Sequence, residues 1–545
     1  MKPTSASISF RQNGVLRTLD LLSEESNGFF EKETVFEETS CRVTLTPSKP
    51  VEVAELRLVY PYEPDREDSI FMNGYQSWTV SKEYSVETTS IVAERLAKIL
   101  DHKRTDRAGD REFTTYPKQN RWLHGVSYGY IRKNDSFRFF GSLGEKEGFT
   151  FFDIDTEAGT LTVRRDMENR IFDTTFTAFD LFFATGAEDE VFDKYFEALS
   201  IPPVTPKPMN GYTTWYRHQQ DINEKKLLAD IHEVSEASEK YPCSVFFIDE
   251  GYENAIGDWL TPRKIPFPHG MEPITKKILE SSMRAGIWIA PFECDRRSTI
   301  YKKHNDWLLR DSNGQPVHAC RSWRDLYCID FSNLSFRHHL KNVLMTMRDD
   351  WGISVFKFDF LYAACSVPSP EKTRGEKMAE AIRFLKDCVG DCITIGMGVP
   401  LMSAAGVFDY CQVSCDYSPD WFPPLTHAGR EQNSTYRALV DLIVHRQLQG
   451  RAFNIFNSVI PINNRMFLFD EDKRILLANA QGLSKGMVLT SDEIARFGSA
   501  ETVIWNTIAS HRDGKVTRVY SRDKKLVVEY DLFEQPHKLL IPLQE

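Results

Sequence analysis

From Gly211 onward, short apolar runs alternate with stretches of helical periodicity. Eight runs read as strands: 212–216, 244–248, 286–291, 355–361, 392–397, 410–414, 452–456 and 486–492. Between them, helices are expected at about 223–240, 272–285, 336–350, 372–389, 433–448 and 473–483, where apolar residues recur every three to four positions. Eight strands alternating with helices over roughly 290 residues is the pattern a (β/α)8 TIM barrel requires. A doubly wound open sheet is the competing arrangement. It would place a glycine fingerprint after an early strand, and the chain has neither GxGxxG nor a Walker motif.

The flanks read differently. Residues 1–200 carry short alternating runs such as 7–10, 41–45, 55–59 and 159–163, separated by Asn, Gly, Asp and Pro, and predict an N-terminal β-sandwich. A helix is expected at about 90–100. Prolines at 202, 203, 206 and 208 can continue neither a helix nor a central strand, so the domain boundary falls there. The barrel domain then covers 201–510. Residues 511–545 return to strand patterning and predict a small C-terminal β domain. A 545-residue chain with 41% hydrophobic residues can bury cores for domains of this number.

Composition narrows the partners. Asp and Glu outnumber Lys and Arg by 78 to 67, giving a net charge of −11, and there is no basic tail. Nucleic acid and anionic membranes are therefore not expected partners. No apolar stretch is long enough to span a membrane, and the start of the chain lacks the apolar core of a secretion signal. The 10 Cys are scattered without a CxxC pair or nearby His, so no metal site is expected, and a reducing cytoplasmic setting fits them best. No cofactor is implied.

Within the fourth strand, Lys357 and Asp359 lie two apart among phenylalanines. They project from one side of a strand, with Phe356, Phe358 and Phe360 on the other. The pair reads either as a buried structural ion pair or as a nucleophile kept ionised by the adjacent ammonium. Catalytic groups of barrels sit at the C-terminal strand ends. There the chain places Trp215 and Tyr216, Asp249 and Glu250, Trp288, Lys357 and Asp359, Met397, and Asp416 with Asp420 and Trp421 beyond it. Scattered surface charge or a carboxylate metal site would give acids at several strand ends, but carboxylates interleaved with aromatics are also what glycoside hydrolysis needs. One carboxylate attacks or stabilises the anomeric carbon, and the other gives and takes a proton. In the N-terminal domain the stretch FMNGYQSW (71–78) reads either as a buried hairpin or as a loop reaching into a site built by another domain.

The chain resembles the α-galactosidases of glycoside hydrolase family 36, in the melibiase-type clan, and within it the compact bacterial members. The motifs that carry the resemblance are NGYQSW (73–78), GYTTWY (211–216), FFIDEGYENAIGDW (246–259), GIWIAPF (286–292), FKFDFLY (356–362) and the 396–421 run. It implies a β-supersandwich, a catalytic barrel and a C-terminal β domain. It implies double displacement with retention, with Asp359 as nucleophile and Asp416 as acid/base. Asp249 and Lys357 match residues that hold sugar hydroxyls, Trp215 and Trp288 match pocket walls, and Tyr75 matches an N-terminal aromatic sent into the site. Tyr216, Glu250, Gln412 and Met397 complete the expected substrate-binding set.

Three positions depart from the family pattern. Relatives carry Asp-Asp where this chain has Asp249-Glu250, Arg where it has Gln412, and a small or thiol residue where it has Met397. The resemblance therefore leaves a second α-glycoside, such as an α-N-acetylgalactosaminide, as an alternative substrate. A non-catalytic sugar-binding protein is a further alternative, opposed by the presence of both Asp359 and Asp416. Homo-oligomers are compatible with the family.

Overall fold

The computed structural model describes every residue except 1, 24–27, 89–107, 111–112, 115–120, 206–207, 321–323, 420, 423–429, 464–466 and 544–545. The helix expected at about 90–100 lies outside the described residues, as does Asp420.

The N-terminal part is a sandwich of two seven-stranded antiparallel sheets. Their facing sides meet through Ile8, Phe10, Leu56 and Leu58 from one sheet and Val43, Leu45, Phe140 and Leu181 from the other. The second sheet is apolar on both faces. In the strand Ser69–Met72, Ile70 and Met72 enter the sandwich core, whereas Phe71 joins the core shared with the barrel, along with Tyr128, Tyr130 and Phe139. Side chains two apart share a face, so the middle of this sheet is buried between the other sheet and the barrel. That arrangement sets the NGYQSW loop, directly after Met72, against the barrel.

A helix, Glu188–Ala198, closes this domain and was not expected. Val191, Phe192, Tyr195 and Phe196 form its buried face, and the ion pair from its first residue, Glu188, to Arg446 ties it to the barrel.

Eight parallel strands then close into a barrel: Asn210–Thr213, Val245–Ile248, Arg284–Ile289, Val355–Phe358, Ile393–Gly396, Tyr410–Gln412, Asn454–Val459 and Met487–Thr490. Val245, Phe247, Val355, Ile395, Tyr410, Met487 and Leu489 fill its interior. Phe246, Ile248, Phe356 and Phe358 face the outer helices. The helices start on side-chain caps where the sequence supplies them. Asn223, Asn333, Ser434 and Asp470 each accept a backbone N–H, and Thr373 forms a capping box with Glu376.

Several boundaries differ from expectation. The first strand ends at Thr213, and Trp215 opens a short helix, Trp215–His218. The second barrel helix, Glu272–Glu280, stops early because the third strand already begins at Arg284. The seventh strand runs to Val459 rather than 456. The fourth strand stops at Phe358. Phe360 has φ +52°, a left-handed conformation rare for a bulky residue, so it leaves the strand alternation instead of pointing outward with Phe356 and Phe358. An antiparallel hairpin, Glu293–Asp295 with Leu326–Cys328, organises the long loop after the third strand. Three antiparallel strands, Lys515–Arg522, Lys525–Leu532 and Gln535–Pro542, form the C-terminal unit.

Candidate active site

Interior parity carries past the apolar layers to the strand ends. Val245 and Phe247 point into the barrel, and Asp249 follows two residues later. Val355 points inward, and Lys357 then Asp359 continue that side. Tyr410 points inward, and Gln412 follows. The polar layer at the C-terminal mouth is thus a continuation of the barrel core, and its members are buried: Asp249, Lys357, Asp359 and Gln412 are all below 8% exposed.

Asp359 is held from two directions. Its Oδ2 accepts the Trp288 indole N–H at 2.8 Å, and its Oδ1 accepts the Phe360 backbone N–H at 2.8 Å. Burial pushes the Asp359 carboxyl up to about 6, opposed by the Lys357 charge and by these two donors. Trp288 is itself braced by the edge of Trp259, 5.8 Å between centroids, and its carbonyl accepts the Tyr252 hydroxyl at 3.2 Å.

Lys357 does not pair directly with Asp359, as the sequence spacing suggested. Its Nζ lies 2.7 Å from Asp249 Oδ2, which also accepts the Thr213 hydroxyl at 2.8 Å. Burial works against the Lys357 charge, but Asp249, Asp359 and Asp416 outweigh it and hold its pKa above the ordinary lysine value. One ammonium therefore sits in the field of three carboxyl groups.

Asp416 Oδ1 accepts from Gln412 Nε2 at 2.9 Å and from the Ser458 hydroxyl at 3.2 Å. Burial raises its pKa, while Lys357 and these two bonds lower it. Tyr216 lies beside it: burial lifts its phenol well above the ordinary value, and the Asp416 charge adds to that. Trp215 is half-buried at the start of the short helix after strand one.

Glu250 faces a cation that the sequence reading missed. Arg324, in the loop after the Glu293–Asp295 hairpin strand, brings its Nη2 to 2.7 Å from Glu250 Oε1. Burial pushes the Glu250 carboxyl up to about 9 against the pull of Arg324. Arg324 sits in a loop without hydrophobic periodicity, so no local signal marks it. Met397 is buried in the barrel-interior cluster, where Trp78 packs on it.

The NGYQSW loop does reach the barrel mouth, but the aromatic that reaches is Trp78. The Tyr75 hydroxyl lies 3.4 Å from Cys365 Sγ, and its ring packs on Phe113 and Phe149, so the structure does not bring it to the carboxylates. Trp78 donates its indole N–H to Gln412 Oε1 at 2.9 Å and packs edge-on against Phe360 and Tyr362 at 5.3 and 5.9 Å. A β-carbon on Gly398, which has φ +59°, would lie 3.1 Å from the Trp78 ring, so glycine serves both the turn and the close approach. Among the described residues no group of three or more His, Cys, Asp or Glu side chains is spaced to hold a metal ion.

Comparison with known proteins bears on the family and the fold. The family model described as Melibiase matches residues 209–388, the first half of the barrel. α-Galactosidase 2 of Pediococcus pentosaceus is 28% identical over 153 residues, 27% of this chain and 20% of that protein. α-Galactosidase Mel36A of Lactobacillus acidophilus is 24% identical over 152 residues, again 20% of its own length. The chain thus spans about a fifth of the length of these relatives. The fold likeness is far more extensive. TtGalA, an α-galactosidase from Thermus thermophilus solved with p-nitrophenyl α-D-galactopyranoside, has a TM-score of 0.72 at 22% identity, covering 93% of this chain and 98% of that one. The family 36 α-galactosidase AgaA from Geobacillus stearothermophilus gives 0.60 at 11% identity, covering 94% and 76%. The same Thermus protein has been solved with stachyose, and an AgaA variant with raffinose. Residues 209–388 are thus similar to the melibiase family, and the chain shares its fold with solved α-galactosidases of glycoside hydrolase family 36.

Proposed function

We propose that the protein is a retaining α-galactosidase that removes terminal α-linked galactose from oligosaccharides. The observation that carries the reading is the unequal setting of two carboxyls in one barrel mouth, Asp359 buried and Asp416 partly exposed. Asp359 has donors on both oxygens and the Lys357 charge nearby, which suits a carboxylate aimed as a nucleophile. Among the described residues Asp416 has donors on one oxygen only, which leaves the other for proton transfer. Asp359 attacks the anomeric carbon from the face opposite the leaving oxygen while Asp416 protonates that oxygen. The glycosyl ester on Asp359 is then opened by a water that Asp416 deprotonates, and two inversions give net retention. Asp249 and Lys357 hold sugar hydroxyls, Trp288 and Trp215 wall the pocket, and Tyr216, Glu250, Met397 and Gln412 shape its sides. The names of the relatives and the galactosides bound in the fold neighbours support galactose and raffinose-type oligosaccharides as substrates.

Release of p-nitrophenol from α-galactoside, α-N-acetylgalactosaminide, α-glucoside and β-galactoside tests the assignment. Fast release from the α-galactoside alone supports it. Release only from another α-glycoside retains the mechanism and moves the specificity to Glu250 and Gln412. No release from any contradicts it.

A further inference from the structure

An indole N–H can donate a hydrogen bond and cannot accept one. Trp78 Nε1 lies 2.9 Å from the side-chain oxygen of Gln412, so the partner dictates which end of that amide faces it. The amine end then faces Asp416 and donates to Oδ1 at 2.9 Å. Ser458 donates to the same oxygen at 3.2 Å. With two donors on Oδ1, a proton there would have to displace one of them. A proton on Oδ2 displaces neither.

Trp78 is itself tightly placed. Its neighbour Ser77 donates its backbone N–H to the Val399 carbonyl at 3.0 Å and accepts the Val399 N–H at its hydroxyl at 3.2 Å. The rings of Phe360 and Tyr362 close on the indole, and Gly398 makes room beneath it. The polarity of the Trp78–Gln412–Asp416 chain is therefore set in the N-terminal domain and read out in the barrel.

We propose that Trp78 is a positioning residue for the acid step: by fixing the Gln412 amide it assigns the transferable proton to Asp416 Oδ2. The inference rests on the α-galactosidase reading above. In the step, the Oδ2–H bond breaks and the proton joins the glycosidic oxygen. The bond from that oxygen to the anomeric carbon breaks, with its electron pair going to the oxygen, while an Asp359 carboxylate oxygen supplies the pair for the new ester bond to that carbon. Asp416 is left as a carboxylate whose Oδ1 already holds two donors.

The test compares kcat/KM, which reports the glycosyl-transfer step, for two α-galactosides that differ only in leaving group. A 2,4-dinitrophenyl galactoside departs without a proton, and a methyl galactoside needs one. Trp78→Phe should lose roughly 10- to 100-fold on the methyl galactoside and less than about 3-fold on the dinitrophenyl one, since general acid catalysis contributes on the order of 100-fold or more. Gln412→Leu, which also removes a pocket side chain, should lose activity on both substrates but at least about 10-fold more on the methyl galactoside, and the double variant should be no worse than Gln412→Leu alone. The ratio between substrates is read on one protein sample, so partial misfolding cancels. Equal losses on both substrates, or a double variant that loses the product of the two single losses, would overturn the role of Trp78. A wild-type protein that cleaves neither galactoside overturns the α-galactosidase reading itself, and the proposal with it.

Discussion

The ammonium of Lys357 lies 2.7 Å from Asp249, just past the end of the second barrel strand, and not on Asp359, just past the end of its own strand. Strands two and four are separated by strand three, so Lys357 bridges across the barrel interior. It thereby spreads one positive charge over the Asp249, Asp359 and Asp416 carboxyl groups.

Removing that charge should move the pH profile. The Asp359 carboxyl stands at about 6, raised by burial and held down by Lys357. Turnover needs it ionised, so kcat/KM should fall as pH drops through about 6. In Lys357→Met the lowering influence is gone, the Asp359 pKa rises further, and the acid limb shifts to higher pH. The pair titrates as a unit with Asp416, so the limb reports a macroscopic value. Asp249 is also left buried without its cation, at a cost of about 3–5 kcal/mol to stability. An acid limb that stays in place would contradict the electrostatic role given to Lys357.

Trp288→Phe keeps an aromatic wall against Trp259 but deletes the donor to Asp359 Oδ2. A hydrogen bond to a charged group contributes about 1.5–3 kcal/mol. The expected loss in kcat/KM is therefore about 10- to 100-fold, with the acid limb again moved upward. Steady-state kinetics across pH measures both.

The departures at Glu250 and Gln412 should set sugar selectivity. Glu250→Asp withdraws the carboxylate from Arg324 by one carbon–carbon bond, about 1.5 Å, and Gln412→Arg restores a charged fork beside Asp416. Each should raise the ratio of α-galactoside to α-N-acetylgalactosaminide hydrolysis. Unchanged ratios would remove both residues from specificity.

A buried triad in the sandwich makes a separate prediction about stability. His124 places Nδ1 2.6 Å from Asp153 and Nε2 2.8 Å from Asp110, with all three side chains buried. Burial opposes the His124 charge, but the two carboxylates outweigh it and raise its pKa. A raised pKa contributes stability that is fully present below the unfolded value, about 6.5, and is lost as pH rises through the folded value. His124→Asn should therefore destabilise by roughly 3 kcal/mol at pH 6 and by clearly less at pH 9. Thermal melting of both proteins at the two pH values decides this, and an equal loss at both would show that His124 acts as a neutral group.

Much of this was legible in the sequence because it depends on local periodicity. The eight barrel strands, the capped helices and the inward parity of Lys357 and Asp359 follow from which residues lie two or four apart. What escaped depends on tertiary partners. Tyr75 and Trp78 are three residues apart in one motif, and only the packing of Phe113, Phe149 and Cys365 around Tyr75 decides that Trp78 faces the site. Lys357 has two carboxylates within its reach on paper, and the closure of the barrel selects Asp249. Arg324 lies in a loop whose course is set by a hairpin with Glu293–Asp295. Phe360 belongs by composition to the strand, yet its backbone turns left-handed and ends the alternation there.

The most direct test of the central claim is the product formed by Asp359→Ala in the presence of azide. With the carboxylate gone, turnover of an α-galactoside should collapse by several orders of magnitude, on the scale of losing a covalent nucleophile. Azide should then restore part of it by attacking from the vacated face, giving β-galactosyl azide. Accumulation of that β product is the result the account predicts. Near-normal hydrolysis by Asp359→Ala, or rescue that yields the α-azide, would contradict Asp359 as the nucleophile of a double displacement.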